Sequence, residues 1–275
     1  MDDEVKKYKL AITELEKIFV IVAHISSNIM GRQAQDRKQE FGSIVFTKIC
    51  CHCHSVLQLV PRQPIMATTE PELWDISSIA SIGRALLESY YSFFYLSVDV
   101  VDEDMEAFRW LLWDYSCEFK RLQQLELIGS QSPLLSDLRR EVEALKNTLV
   151  ESSIFKRQTE SVRRKMTGGQ MGVFSTNTDL SQRAGISKKY YKLLYDYLSS
   201  YVHSYSLSIN QLQSFRAGSA EAVHIIALLA RYCLVYMCFS LRDITQLFPD
   251  QKLLIDNDVK GIMDDWIDIA RNFRE

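Results

Sequence analysis

The chain has 275 residues, enough for a substantial hydrophobic core, and a formal net charge of −3. Glycine (10) and proline (5) are scarce, and alternating apolar and polar patterns are hard to find, which excludes a strand-rich fold. Long proline-free stretches rich in Leu, Glu, Lys, Ala and Gln instead favour helices. We therefore predict an all-α protein.

Apolar residues recur at helical spacing along most of the chain, which predicts a bundle of about seven or eight helices. The predicted helices cover approximately residues 3–30, 40–60, 75–98, 102–125, 133–157, 187–205, 218–247 and 257–273. Asp75 is expected to begin the third helix, and the acidic cluster after Asp102 suits the first turn of the fourth. Residues 166–180 have no sustained period, and we expect a mobile loop there with a short helix from Asp179. We predict a single domain over residues 1–275 that contains this loop.

One predicted helix is apolar enough to raise the question of a membrane. The stretch from Ala222 to Leu241 is nearly all apolar and long enough to span a bilayer. Arg231 lies at its centre and opposes insertion by about 2.5–3.5 kcal/mol, so we predict a buried central helix and no membrane partner. The six cysteines lie inside apolar helical patterns, and the acidic amino terminus does not resemble a signal peptide. Reduced thiols in a cytoplasmic protein fit these features best.

The third predicted helix is apolar around most of its circumference and carries one polar stripe. Arg84 and Glu88 lie on this stripe one turn apart and can pair, although a base followed by an acid is the weaker order. Buried charge is costly unless it is paired. The stripe therefore indicates either an ion pair that fixes the helix register or a functional cleft.

The helix predicted over residues 187–205 has a polar face of its own. Its members are Lys192, Asp196, Ser199, Ser200 and His203. Histidine is the side chain best suited to exchange protons near neutral pH, and His203 is a candidate to lie opposite Arg84 and Glu88. Asp196, Ser199 and His203 suggest a catalytic triad, which we reject because nothing resembles a nucleophile elbow or an oxyanion-donating turn. The alternative is that His203 is a packing residue whose hydrogen bonds are satisfied.

Positive charge is concentrated in one segment. Residues 156–192 hold nine Lys or Arg against two acidic residues, whereas the rest of the chain is acidic. This asymmetry suggests an anionic partner, and tyrosines of the following helix could stack bases. The candidate nucleic-acid-binding residues are Arg163, Arg164, Lys165, Lys188 and Lys189. The alternative is a solvated charged connector.

Two further patterns suggest ligands but lack essential parts. Cys50 and His54 lie one turn apart and could offer two metal ligands, but structural zinc needs four and no second pair exists. The stretch from Thr167 to Gly172 could cradle a phosphate, but it lacks the Lys-Ser/Thr of a P-loop and follows no strand. We therefore expect neither a metal nor a cofactor.

The combination of two motifs resembles a known kind of protein. Arg84-x-x-x-Glu88 in one hydrophobic helix and Tyr195-x-x-Leu198-Ser199-x-Tyr201-Val202-His203 in a later one resemble a bacterial family of uncharacterised helical-bundle proteins. That family is distantly similar to HEPN domains, many of which are ribonucleases in toxin and antiviral systems. The resemblance covers roughly residues 40–245 and implies a HEPN-like core, an RNA substrate and a homodimer.

The chain departs from catalytic HEPN proteins in one respect. Those proteins carry an arginine four to six residues before the histidine on a single helix, and no histidine of this chain has one at that spacing. If the site is catalytic, Arg84 must therefore stabilise a phosphate from another helix while Glu88 and His203 handle protons, as in a metal-independent ribonuclease. The alternative is a non-catalytic protein-interaction or dimerisation bundle in which the same residues form a structural network.

Overall fold

The computed structural model describes residues 2–62 and 74–273. Within them the chain forms twelve α-helices and no strand, which confirms the predicted all-α class. The helices are α1 (Asp2–Ile29), α2 (Arg37–Leu59), α3 (Ile76–Phe93), α4 (Glu103–Leu127), α5 (Leu135–Glu151), α6 (Ser153–Lys156), α7 (Glu160–Thr167), α8 (Asn177–Ala184), α9 (Lys188–Val202), α10 (Ser206–Ser214), α11 (Ala220–Leu247) and α12 (Asn257–Arg271). A π-helical turn, Phe94–Val98, follows α3, and a 3₁₀ helix, Pro249–Leu254, follows α11.

Aspartates cap the helices whose starts the sequence indicates most clearly. The Asp75 carboxylate accepts a hydrogen bond of 2.9 Å from the backbone N–H of Ser78 at the start of α3. The Asp102 carboxylate accepts one of 2.8 Å from Met105, and the acidic cluster fills the first turn of α4. These contacts confirm the predicted starts of the third and fourth helices.

The predicted count of seven or eight helices is wrong because several short helices are separate elements. The helix predicted over 133–157 is divided at Ser152, whose side chain caps α6. The helix predicted over 187–205 ends at Val202, because Ser204 adopts a left-handed φ of 50° before α10 begins. The predicted loop is also shorter than 166–180, since α7 ends at Thr167 and α8 begins at Asn177.

The chain packs as two compact units, a larger unit of residues 1–98 and 177–275 and a smaller unit of residues 99–176. In the larger unit, α11 packs against α1, α2, α3 and α12, and α9 packs against α3. In the smaller unit, α4 and α5 pack against each other. A single domain over residues 1–275 remains a prediction.

The central helix of the larger unit is α11. It is the one described helix that is long and apolar enough to cross a membrane, but 78% of its most apolar window is buried inside the protein. Most of its side chains therefore already have protein neighbours, as expected for the core helix that the sequence predicts.

The smaller unit has a hydrophobic core of its own. Its buried members are Phe108, Leu112, Tyr115, Leu138, Val142, Leu149, Phe155 and Met166. Gly169 packs directly against the Phe119 ring in this unit. Its φ is +66°, and a Cβ atom there would lie 2.3 Å from that ring. Only glycine fits that position without displacing the aromatic ring.

Candidate functional site

Arg84 lies at the centre of the candidate site, in the middle of α3. The surrounding helix is apolar, and packing against α9 and α11 leaves only about a tenth of the arginine exposed, at 9%. A guanidinium stays charged at all ordinary pH values, so burial requires compensating contacts. Those contacts come from α9 and from Arg84's own helix.

Two residues of α9 hold the guanidinium in a fixed orientation. The Tyr195 ring lies under it, with 3.9 Å between Arg84 Cζ and the ring centroid, as in a cation–π contact. Arg84 Nε donates a hydrogen bond of 3.2 Å to Ser199 Oγ. Both contacts join α3 to α9, so this arginine fixes how the two helices pair.

Glu88 lies one turn further along α3 and completes the set of contacts. Its Oε1 is 2.6 Å from Arg84 Nη1, which confirms that the two residues pair. The two side chains differ in exposure, at 10% for Arg84 and 56% for Glu88, so the carboxylate lies where solvent reaches it. The pair is therefore buried on the arginine side and open on the glutamate side.

The guanidinium uses few of its hydrogen-bond donors. Arginine has five N–H groups. In the part of the chain that the structure describes, only Nε has a hydrogen bond, to Ser199, and the buried Nη1 has none with good geometry despite its proximity to Glu88. Buried polar groups are usually satisfied, so this arrangement leaves donors for an incoming anion.

His203 lies apart from the other two candidate catalytic residues. It is exposed, follows the last residue of α9, and stacks on Tyr205 with 5.3 Å between the ring centroids. Among the described residues, no hydrogen bond or ion pair joins it to Arg84 or Glu88. The structure thus brings Arg84 and Glu88 together, adds Ser199 and Tyr195 to them, and leaves His203 at the helix end.

The direction of the helices places His203 relative to Arg84. Arg84 contacts Ser199, whereas Tyr91 contacts Tyr191 at 5.5 Å between ring centroids, so α3 and α9 run antiparallel. Glu88 is four residues beyond Arg84 on α3, and His203 is four residues beyond Ser199 on α9, about 6 Å along each axis. Glu88 and His203 therefore lie on opposite sides of Arg84 along the helix pair.

A tyrosine network lies behind the site, in the core of the larger unit. The hydroxyls of Tyr91 and Tyr236 are 3.0 Å apart, and Tyr91 also packs edge-on against Tyr191. Burial raises the pKa of Tyr91 and Tyr236 well above the ordinary range and that of Tyr191 to about 12. These tyrosines therefore remain neutral at physiological pH.

The next polar cluster in this core is one that we do not predict from the sequence. Tyr90 donates a hydrogen bond of 2.9 Å to Asp243 Oδ2, and Arg242 Nε donates one of 2.7 Å to Asp243 Oδ1. Burial is the largest influence on Asp243 and raises its pKa, while the bonds from Arg242 and Tyr90 oppose that rise. The available sequence signal is an Arg-Asp pair in an otherwise apolar helix, which indicates a structural ion pair.

The candidate nucleic-acid-binding residues belong to different units. Arg163, Arg164 and Lys165 lie on α7 in the smaller unit, and Lys188 and Lys189 begin α9 in the larger unit. Arg164 is ion-paired with Glu160 on its own helix, whereas Lys165 and Lys188 are exposed. The basic residues of segment 156–192 therefore do not lie along one continuous helix.

The cysteine-histidine cluster of α2 does not form a metal site in the described residues. No three His, Cys, Asp or Glu side chains converge there or elsewhere in those residues. His54 instead stacks on Phe19 with 5.5 Å between ring centroids, and Cys53 is fully buried. Burial raises the pKa of Cys50 to about 11, so this side chain is a neutral thiol at physiological pH.

The chain matches the model of a protein family. The model of a family of unknown function, DUF5677, matches residues 43–219, which include Arg84, Glu88, Ser199 and His203. No curated protein and no solved structure matches the chain. The matched range ends before α11 begins.

Proposed function

We propose that this chain, which belongs to the DUF5677 family of unknown function, binds RNA at Arg84 and cleaves it as a HEPN-like, metal-independent ribonuclease. The observation that carries the proposal is the buried Arg84 guanidinium, which is held in place by Tyr195 and Ser199 and is paired with the exposed carboxylate of Glu88. A pre-oriented arginine whose carboxylate partner is exposed suits a phosphate group, which can replace that carboxylate and whose oxygens accept hydrogen bonds in pairs.

In the proposed reaction, the phosphate binds Arg84 and displaces Glu88 from the guanidinium. Glu88 then accepts the proton of the ribose 2′-hydroxyl as the 2′-oxygen attacks phosphorus. The bond from phosphorus to the 5′-oxygen breaks, and His203 donates the proton that this oxygen takes up. The products are a 2′,3′-cyclic phosphate and a 5′-hydroxyl, so the protons balance and no metal or redox partner is needed.

The positions of the two proton-transferring groups support this assignment. In-line attack requires the base and the acid on opposite sides of phosphorus. Glu88 and His203 lie on opposite sides of Arg84 along the antiparallel helices, and both are exposed to solvent. A phosphate on Arg84 would thus lie between them.

The test is cleavage of a single-stranded RNA by the purified protein, with and without EDTA. We expect cleavage in both conditions, cyclic phosphate ends, and no cleavage of RNA that is methylated at each 2′-oxygen. His203→Ala should lower the rate at least about 100-fold without changing the melting temperature, because the imidazole is exposed. His24→Ala, which removes an exposed histidine of α1, is the matched control and should cleave normally.

The outcomes separate this proposal from its competitor. Equal cleavage by His203→Ala would remove the histidine from the mechanism, and loss of cleavage with EDTA would contradict the metal-independent reaction. A wild-type protein that neither binds nor cuts RNA would overturn the proposal as a whole.

The second candidate is a non-catalytic interaction bundle in which the same residues have a structural role. The observation that favours it is that the Tyr195 and Ser199 contacts of Arg84 both tie α3 to α9, while His203 takes no part in them. On this interpretation Arg84→Lys destabilises the fold, because a lysine cannot reproduce the planar stack and the directed bond. The ribonuclease proposal instead requires that this variant lose RNA cleavage even where it is fully folded.

A further inference from the structure

The larger unit has an apolar groove whose lining does not include Arg84. It has a volume of about 560 Å³ and is formed by α10, the first turns of α11 and the first turn of α1. Its apolar lining comes from Leu207, Phe215 and Ile225, and its polar lining includes Glu4, Glu221 and His224. We call it the α10–α11 groove.

The helix that forms one wall of this groove is weakly embedded. Of the α10 side chains that the structure describes, only Ser208 is fully buried. Leu207 is 52% exposed, and three other large apolar residues within a few positions are open to solvent, namely Val202, Tyr205 and Ile209. Clustered exposed apolar side chains of this kind mark interaction surfaces.

Two carboxylates, those of Glu4 and Glu221, lie at the edge of the groove. Glu4 Oε2 lies 2.7 Å from His224 Nδ1, and Lys7 Nζ donates a hydrogen bond of 2.9 Å to Glu4 Oε1. The contact with His224, and then that with Lys7, lowers the pKa of Glu4 to about 2, so this carboxylate is ionised at neutral pH. Glu221 is exposed in the first turn of α11 and adds a second negative charge, while Lys7 is also engaged by Asp3 at 2.6 Å.

We propose that the α10–α11 groove binds an amphipathic helix of a partner protein, with the partner's apolar face on Leu207, Phe215 and Ile225 and its basic residues beside Glu4 and Glu221. An apolar groove binds the apolar side chains that lie along one face of a partner helix. The charges at the edge of the groove favour partner residues of the opposite sign beside that face. An acidic helix would be repelled by the two carboxylates. The proposal does not depend on Arg84 or on ribonuclease activity.

The test uses a fluorescent synthetic peptide of about 18 residues, built from leucine and lysine with the leucines on one helical face. Fluorescence anisotropy with the full chain should show saturable binding. The same peptide with glutamate in place of lysine should bind at least tenfold more weakly. Leu207→Asp should weaken binding of the leucine-lysine peptide at least tenfold, and Glu221→Gln should weaken it about threefold at low salt.

Matched variants elsewhere on the larger unit exclude non-specific attraction of a basic peptide. Ile44→Asp changes a residue of α2 that is 64% exposed, and Glu16→Gln removes an exposed charge of α1. Both should bind within twofold of the wild type. Absence of wild-type binding would overturn the proposal, as would equal weakening by Leu207→Asp and Ile44→Asp.

A second copy of the chain is the competing occupant, and sedimentation of the same proteins decides between the two. We expect Leu207→Asp and the wild type to sediment alike. If the wild type is a dimer that Leu207→Asp converts to a monomer, the groove binds its own copy and the partner-helix proposal is wrong. Leu207 is half exposed, so its substitution should leave the melting temperature unchanged.

Discussion

Arg109 in the smaller unit and Arg84 in the larger unit are both buried in helices and both contact a carboxylate, but the two carboxylates differ in exposure. Arg109 Nη2 is 2.8 Å from Asp99 Oδ2, with 3% and 6% of the side chains exposed. Arg84 is buried to a similar degree, yet the side chain of its partner Glu88 is 56% exposed. The first pair is closed to solvent on both sides, and the second is closed on one side.

This difference separates a structural pair from one that can exchange partners. Removing one member of a closed pair leaves the other charge buried without that partner, which is strongly destabilising. The two members of such a pair therefore stay together. An exposed carboxylate is already hydrated and is easily replaced by another anion. Burial of an arginine alone therefore does not support a functional role, and the role that we propose for Arg84 depends on the exposure of its partner.

The largest effect is expected where the closed pair is broken. Arg109→Ala should lower the free energy of unfolding by about 3–5 kcal/mol, because the buried Asp99 loses the charge of the Arg109 guanidinium. Urea denaturation at neutral pH measures this change. A loss below about 1 kcal/mol would show that the pair is not closed, and the comparison with Arg84 would lose its basis.

A smaller loss of stability is expected when the half-open pair loses its arginine. Arg84→Met should cost about 2 kcal/mol, since it removes the hydrogen bond to Ser199 and the stack on Tyr195 but leaves Glu88 in solvent. RNA cleavage should fall by about 100-fold to 1000-fold under conditions where the variant is folded. Unchanged cleavage would assign Arg84 to structure alone.

Loss of the bond between the helices should cost less again. Ser199→Ala should lower the free energy of unfolding by about 1 kcal/mol, because Nε of Arg84 loses its acceptor. The control is Ser55→Ala, which removes a hydroxyl that donates to the carbonyl of Cys51 on the same helix and should matter little. Equal effects of the two substitutions in thermal or urea unfolding would contradict a specific role for Ser199.

The smallest change in stability is expected for Glu88→Gln. A helical ion pair one turn apart contributes about 0.3–0.5 kcal/mol when its carboxylate is exposed, and the base-then-acid order of Arg84 and Glu88 is the less favourable one. The difference from wild type should disappear in high salt, whereas the cost of Arg109→Ala should persist. A loss above about 2 kcal/mol for Glu88→Gln would mean that the two pairs are alike.

Local spacing predicts the parts of the site that lie on one helix. Arg84 and Glu88 pair because they are one turn apart on α3, and the sequence is sufficient for that. The contact of Arg84 with Tyr195 depends on how α3 and α9 are aligned, and no periodicity within either helix determines this alignment. The motif around Tyr195 indicates the region but not which of its side chains reaches the arginine.

Contacts made through turns and helix ends are the ones that the sequence does not predict. Asp99 and Arg109 are ten residues apart, and they meet because the chain turns after the π-helical segment into α4. His203 shares a predicted helical face with Ser199, but α9 ends one residue earlier because Ser204 is left-handed. A non-glycine residue in that conformation has no reliable sequence signal.

The uneven distribution of tyrosine gives the two units different tolerance of alkali. The smaller unit contains only Tyr115, whereas the other twelve tyrosines of the chain belong to the larger unit. Burial raises the pKa of Tyr90, Tyr190 and Tyr236 well above 10 in the folded chain. In the unfolded chain these phenols are exposed and therefore ionise at a lower pH. Above pH 10 each such phenol favours the unfolded chain, and the ultraviolet absorbance of phenolate becomes an intrinsic signal for loss of the larger unit's core.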